Sequence, residues 1–446
     1  MRAVLALILL AGVVSPAAAQ IDGHVSVMFD GFPDLDPADG FQAVGELRAR
    51  VFAERRDQFG EHLRLNLAGY VDGLLADRQV LGRTGVARAA IVRPADVYVE
   101  FVASRFDLRA GASRLVWGRL DEFQPTDVVN PIDLTRFILE GRGEARLPVA
   151  MVRGRFFLPR SSTIEAVIVP AFRASRFDQL DEDSSPFNLL NDVGRGANDV
   201  GRGFSPAGSD PPEVPSYDRG REEPAFGRDS IQGGVRLTST AGRVDWGMSV
   251  YRGRRTFPIV TFTPTLLGLP AVVETFPRFT MIGGDFETVR GPWGVRGEIA
   301  VFPDDELQST RTGRGVPGSS IEGGVGADRR AGNYRVAANV LWSWRRVDTS
   351  TPLERSFEGD DELTRSDLSV VVVADRSFAR ETRTIRLLTV YDPGDATMFS
   401  RLIAAVSARD NVWIEGSAGL FAGSALDTIG RLTRRDFAYL RLKVFF

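Results

Sequence analysis

The sequence predicts an all-β chain: a transmembrane, up-and-down antiparallel β-barrel of about eighteen strands, sixteen being the alternative count. Three observations predict it. Apolar and polar residues alternate with a period of two along most of the chain, which places them on opposite faces of strands. The connections between these stretches are short and long by turns, as tight periplasmic turns and longer outer loops would be. Beyond the first twenty positions no apolar run reaches the length of about 18 residues that a membrane helix needs.

Taken in order, the chain opens MRAVLALILLAGVVSPAAAQ. Arg2 gives a positive start, Ala3 to Val14 a short apolar stretch, and Ala17-Ala18-Ala19 a small-residue cleavage site. Residues 1–19 therefore read as a secretory signal peptide, and residues 20–446 as one barrel. No cysteine occurs, which rules out disulfides and thiolate metal sites. A soluble chain of this length would hold two or three domains, yet no linker interrupts the alternation. The net charge of -3 gives no basic footprint for nucleic acid.

The strands follow. Leu47, Ala49, Val51 and Ala53 alternate with Glu46, Arg48, Arg50 and Glu54, and Leu63, Leu65, Leu67 and Val71 alternate with Arg64, Asn66, Tyr70 and Asp72. Later, Val244, Trp246, Met248 and Val250 oppose Arg243, Asp245 and Ser249. Tight turns are expected near Asp57–Gly60, Pro159–Ser161 and Arg409–Asn411, and long connections near Ala76–Arg93, Arg119–Leu147, Ala174–Arg228 and Pro303–Ser319. The polar face carries both signs. Arg48, Arg50, Arg64, Arg153 and Arg155 are candidate lumen-wall residues, with Arg109, Arg236, Arg296, Arg335, Arg386 and Arg441 on the same face. Glu46, Asp72, Glu100, Asp107, Glu298 and Glu415 fall there too.

Two segments break the alternation. Residues 174–228 are rich in Gly, Asp, Asn and Pro and carry "NDVGRG" twice, as a long extracellular loop would. The acids at Asp178–Asp183 lack the fixed spacing of a calcium motif, so no metal is assigned. The other segment, "WGRLDEFQPTDVVNPIDL" from Trp117, runs irregularly to about Arg146. Asp121, Gln124, Thr126, Asp127, Asn130 and Asp133 can satisfy buried backbone, and Pro125 and Pro131 suit a rigid non-strand path. Val128, Val129, Ile132, Leu134, Phe137, Ile138 and Leu139 are too many apolar side chains for a solvated tip. Residues 119–146 are therefore expected to fold inward as a constriction loop between the fifth and sixth strands. Asp121, Asp127, Asn130 and Asp133 are its candidate site residues, and Arg153 and Arg155 the nearest expected partners for its acids. The alternative is a loop that caps the mouth without controlling passage.

Trp117-Gly118, the stretch "DVVNPIDL" with its Asn-Pro-x-Asp, and "RLPVAMVRGRFFL" at Arg146–Leu158 resemble an uncharacterised family of Gram-negative outer-membrane barrels. More distantly the chain is similar to alginate-export and porin-type barrels. The resemblance implies an outer-membrane barrel after secretion through the inner membrane, set among outer-membrane lipids and lipopolysaccharide. The final strand, DFAYLRLKVFF, alternates up to Phe446. It resembles the C-terminal signal that the barrel assembly machinery reads, so Phe446 is the expected assembly signal.

The function expected is a porin-like channel passing a polar or amphipathic solute. The alternative is a structural or adhesive barrel that presents the long loop. No enzyme is expected: His24 and His62 are the only histidines, and neither has an evident serine or aspartate partner for base catalysis. No catalytic residue and no cofactor are assigned.

Overall fold

The computed structural model describes residues 21–33, 41–80, 83–176, 187, 218–263, 271–308, 315–348, 364–423, 429–433 and 435–446. In its first third, five strands precede the irregular segment: β1 (Ile21–Gly31), β2 (Phe41–Phe59), β3 (Leu63–Val80), β4 (Arg83–Val102) and β5 (Phe106–Ser113). After it come β6 (Val149–Leu158), β7 (Ser162–Val169), β8 (Asp218–Glu222), β9 (Gln232–Ala241) and β10 (Val244–Arg254). Next are β11 (Ile259–Thr263), β12 (Ala271–Thr275), β13 (Arg278–Arg290), β14 (Trp293–Gln308), β15 (Gly315–Ala331) and β16 (Tyr334–Val347). The chain finishes with β17 (Thr364–Phe378), β18 (Arg383–Asp392), β19 (Thr397–Arg409), β20 (Val412–Ala422) and β21 (Phe437–Phe445).

Eighteen of these strands form one antiparallel sheet in chain order, and β21 pairs back onto β1, with Val25 opposite Val444. The sheet is therefore closed. The remaining three, β8, β11 and β12, form a small separate sheet on the long-loop side.

Burial runs opposite to that of a soluble protein. On β2, Leu47 is 41% exposed while its neighbours Glu46 and Arg48 are 0% and 5% exposed. The same inversion recurs at Met248 beside Ser249 and at Leu440 beside Tyr439. Apolar side chains face outward and polar ones inward, which a barrel in a hydrocarbon layer requires and a water-soluble sandwich forbids. A closed barrel leaves no unpaired sheet edge, the condition for strands to cross lipid.

Two expected long connections prove shorter. β3 and β4 continue almost to a tight hairpin, so most of Ala76–Arg93 is strand, and β14 and β15 likewise extend into Pro303–Ser319. There the sequence loses its apolar face, but the backbone ladder continues without one. The repeated "NDVGRG", the acids at 178–183 and residues 1–20 lie outside the described residues.

Phe446 extends the closing pair. Its N–H and C=O bond the C=O and N–H of Gly23, each at 3.0 Å. The ring lies against Gly23, where an added Cβ would stand 2.7 Å from it. Deleting Phe446, or making it Asp, is expected to lower the folded, heat-modifiable fraction on unheated gels more than total expression. Equal folded yields for truncated and parent chains would refute this role.

Candidate functional site

β5 stops at Ser113 because the chain leaves the wall there, and residues 114–148 run through the interior before β6 begins. The turn inward is anchored by Trp117. Its side chain is 1% exposed, its Nε1 donates to Glu165 on β7 at 2.7 Å, and its ring meets Tyr251 of β10 edge-on at 5.9 Å. Gly118 follows at φ +97, and a Cβ there would stand 2.6–2.8 Å from the Glu298 carboxylate. Only glycine tolerates both conditions. The carboxylate of Glu298 can thus accept the backbone N–H groups of Arg119 and Leu120 and the Thr126 hydroxyl, the last at 3.0 Å. The Trp-Gly pair is a wedge and a close approach side by side.

Next, the segment crosses to the far wall. Asp121 accepts from Arg296 of β14 at 2.8 Å and Arg335 of β16 at 2.7 Å, and Glu122 accepts from Arg386 of β18. These arginines belong to a girdle of alternating sign on six successive barrel strands: Glu287, Arg296, Asp328, Arg335, Asp375 and Arg386. Its members sit 2.9, 2.8, 3.8, 3.5 and 3.6 Å apart in turn. They lie in the half of the barrel with tight turns and are partly open to the lumen, so each pair is individually weak.

Asn130 ties the two ends of the segment together. Its Oδ1 accepts the Leu115 N–H at 2.7 Å, and its Nδ2 donates to the carbonyls of Leu147 and Ser113 at 2.8 and 3.3 Å. Pro131 adds its carbonyl to the Leu147 N–H at 2.8 Å. Asp133 then caps a helix, α1 (Leu134–Glu140), by accepting the Arg136 N–H at 3.1 Å, the usual work of an N-cap aspartate. A single turn, α2 (Arg142–Ala145), returns the chain toward β6. The Asn-Pro-x-Asp motif is thus a staple followed by a helix start.

The helix docks by charge and by apolar contact. Arg136 reaches Asp72 of β3 at 2.8 Å, and Glu140 accepts from Arg50 of β2 at 2.9 Å and lies 3.5 Å from Arg441 of β21. Burial pushes the Glu140 carboxyl up, but Arg50, Arg136 and Arg441 outweigh it and hold it below the usual carboxylate range. The Leu139 carbonyl accepts from Arg401 of β19 and from the Tyr439 hydroxyl of β21. Ile138 and Leu139 pack among Val371, Val373, Phe399 and Phe437, while Val129 packs among Leu115, Tyr251, Phe279 and Phe302.

The expected partners need correction. Asp127 meets Arg142 at 3.1 Å and Arg146 at 2.7 Å, both within the segment, and Asp133 lies 3.6 Å from Arg93 of β4. Arg155 pairs with Asp107 at 2.6 Å, and Arg153 lies 3.7 Å from Glu100 and 3.8 Å from Glu165. Adjacent wall strands hold both arginines, Arg155 by hydrogen bonds to Asp107 and Arg153 only at longer ion-pair distances, and the segment carries its acids away from them. Of the other wall candidates, Arg48 pairs with Asp30 at 3.1 Å and Arg50 with Asp72 at 2.6 Å. Arg64 is 53% exposed and 3.9 Å from Glu100, too open to hold anything. His62 contacts the Val102 carbonyl at 2.8 Å, and His24 sits between the rings of Phe52 and Phe445.

Sequence reasoning missed that much of the lumen wall on the long-loop side is apolar. Val371 is 0% exposed and faces inward, while Val372 is 39% exposed and faces out. The unbroken run Val370–Val373 was the available signal, since only a strand apolar on both faces reads that way.

Among solved structures, the chain is similar to OccAB1 of Acinetobacter baumannii at 8% identity, covering 96% of this chain and 95% of that one with a TM-score of 0.50. OccK7 (OpdD) of Pseudomonas aeruginosa matches at 8% identity over 97% and 99%, TM-score 0.49. OmpT, an outer membrane protein of Vibrio cholerae, matches at 8% identity over 97% and 99%, TM-score 0.42. The likeness to OccAB1 shows the fold alone, a closed eighteen-stranded outer-membrane barrel. No curated protein matches the sequence. The model of the family described as "Protein of unknown function (DUF1302)" matches residues 86–357, more than half of the chain, and the chain therefore belongs to the DUF1302 family.

Proposed function

We propose that this protein is an outer-membrane channel for a polar or amphipathic solute, and that residues 119–146 set its narrowest cross-section. One observation carries the reading. The segment between β5 and β6 bonds to β2, β3 and β4 on one side and to β14, β16, β18, β19 and β21 on the others, so a solute moving along the barrel axis must pass it. The wall also changes character along that axis. The long-loop side carries aromatic and aliphatic clusters among ion pairs such as Arg48–Asp30 and Arg255–Asp305, whereas the tight-turn side carries the charged girdle. Such a lumen suits a molecule with both kinds of surface better than a small hydrated ion. The outward apolar face would lie among outer-membrane lipids and lipopolysaccharide, and assembly would pass through the barrel assembly machinery.

The test is planar-bilayer recording of the purified, folded chain. Discrete conductance steps are expected. A folded barrel that stays electrically silent would favour the structural or adhesive reading instead.

A further inference from the structure

The seam where the inner segment leaves β5 and rejoins β6 holds a feature that a constriction does not require. Tyr70, Arg93, Arg114, Arg136, Arg146 and Arg173 line a cleft there, and no carboxylate is among its lining residues. The cavity itself is only about 10 Å3, room for a single oxygen atom, so one oxygen of an anionic group would enter it while the rest of the group stays at its mouth.

Four of the five guanidiniums have carboxylates behind them. Arg114 pairs with Asp96 at 2.6 Å, Arg136 with Asp72 at 2.8 Å and Arg146 with Asp127 at 2.7 Å, while Arg93 stands 3.7 Å from Asp72 and 3.6 Å from Asp133. These acids are already shared. Asp72 also serves Arg50 at 2.6 Å, and Asp127 also serves Arg142 at 3.1 Å. Arg173, just beyond β7, differs. Its Nη1 donates to the Pro148 carbonyl at 2.5 Å, and among the described residues no carboxylate pairs with it. Burial, then the nearby Arg176, pushes its guanidinium down from the ordinary value, with Asp133 only partly opposing. Glu144 adds a carboxylate beside Tyr70 and Arg114, and Arg176 adds a cation beside Arg173. With Asp72 and Asp127 shared, positive charge still exceeds negative around this half-buried cleft, where an anion gains most. The planar donor fork of arginine matches an oxyanion in geometry as well as sign.

We infer that this cleft binds an oxyanion, the carboxylate or phosphate group of a solute, with Arg173 as the residue that completes it. The inference rests on the channel reading, which brings solute to the seam.

Binding can be measured without conduction, by isothermal titration of the detergent-solubilised full chain with sodium benzoate and, separately, sodium phosphate. Saturable binding of at least one is expected. Benzoate alone would assign a carboxylate, phosphate alone a phosphoryl group. Arg173→Gln breaks no ion pair among the described residues, so it should stay heat-modifiable. It should weaken binding about tenfold or more, the scale of a lost charge-assisted hydrogen bond. Arg173→Lys keeps the charge without the fork and should fall between, and it serves as the test if the glutamine variant fails to fold. Absence of binding by both anions, or equal affinity in parent and variant, would overturn the site. A chain that binds anion yet is electrically silent would overturn the channel reading alone, and one that conducts without binding would overturn this site alone.

Discussion

Replacing Glu122–Glu140 with a short Gly-Ser bridge is expected to leave a folded, heat-modifiable barrel whose single-channel conductance is several times that of the parent. The gain follows from removing the helix and the Val128–Pro131 stretch from the lumen. That the barrel survives is less obvious, because stranding a buried charge costs about 3–5 kcal/mol. Most wall groups that lose a partner keep another. Arg50 retains Asp72 at 2.6 Å, Arg441 retains Glu415 at 2.7 Å, and Arg386 retains Asp375 at 3.6 Å. Arg401 still has Ser417 and the Tyr439 hydroxyl, at 3.2 and 2.7 Å. Asp121, outside the deletion, keeps Arg296 and Arg335. A folded deletion variant that conducts just as the parent does would place the segment outside the permeation path and end the constriction reading.

Asn130→Ala is the point substitution with the largest expected effect. The side chain is 5% exposed and satisfies one backbone N–H and two carbonyls from both ends of the inner segment. Alanine leaves these three buried groups without that partner, at about 1–3 kcal/mol each. The cost falls on docking of the segment, since the wall ladder is untouched. Open-channel current should become noisy and step upward intermittently, and protease should cut between Glu122 and Glu140 in folded barrels. Asn130→Asp keeps the acceptor for Leu115 but sets a buried carboxylate oxygen against the carbonyls of Ser113 and Leu147, so it should loosen the segment at least as much as alanine does. Parent-like noise with parent-like protease resistance in Asn130→Ala would show that the staple is dispensable.

Much of the fold could be read from residues alone because a membrane barrel writes its two faces as alternation. Leu47 and Glu46 differ in exposure as their order along the strand demands. Strand ends were less legible: past the lipid layer the ladder of β3 and β4 continues while the apolar signal fades. Within the inner segment, Asn130 and Asp133 were identifiable because short polar side chains in irregular backbone nearly always bond locally. Their partners were not. Asp121 meets Arg335 across more than two hundred residues, and no local pattern encodes such a pairing. Glu298 looked like any other lumen acid, and Gly118 stood out only as half of the Trp-Gly pair, with no sign of what it faces. Only their meeting in space shows why both are needed.

The contacts of Glu140 and Leu139 also bear on the order in which the barrel is made. Together they reach β2 through Arg50, β19 through Arg401 and β21 through Tyr439 and Arg441, so the helix spans the seam where β21 meets β1. Closing a ring of this length from its two termini is an entropically unfavourable encounter between segments hundreds of residues apart, although the penalty grows only logarithmically with chain length. A helix already docked on the N-terminal strands would offer β19 and β21 a surface to land on before any hydrogen bond to β1 forms. It would turn one long-range closure into two shorter ones. The same residues that narrow the finished lumen would then act earlier as an internal template, and their loss would slow assembly even where the final barrel is stable.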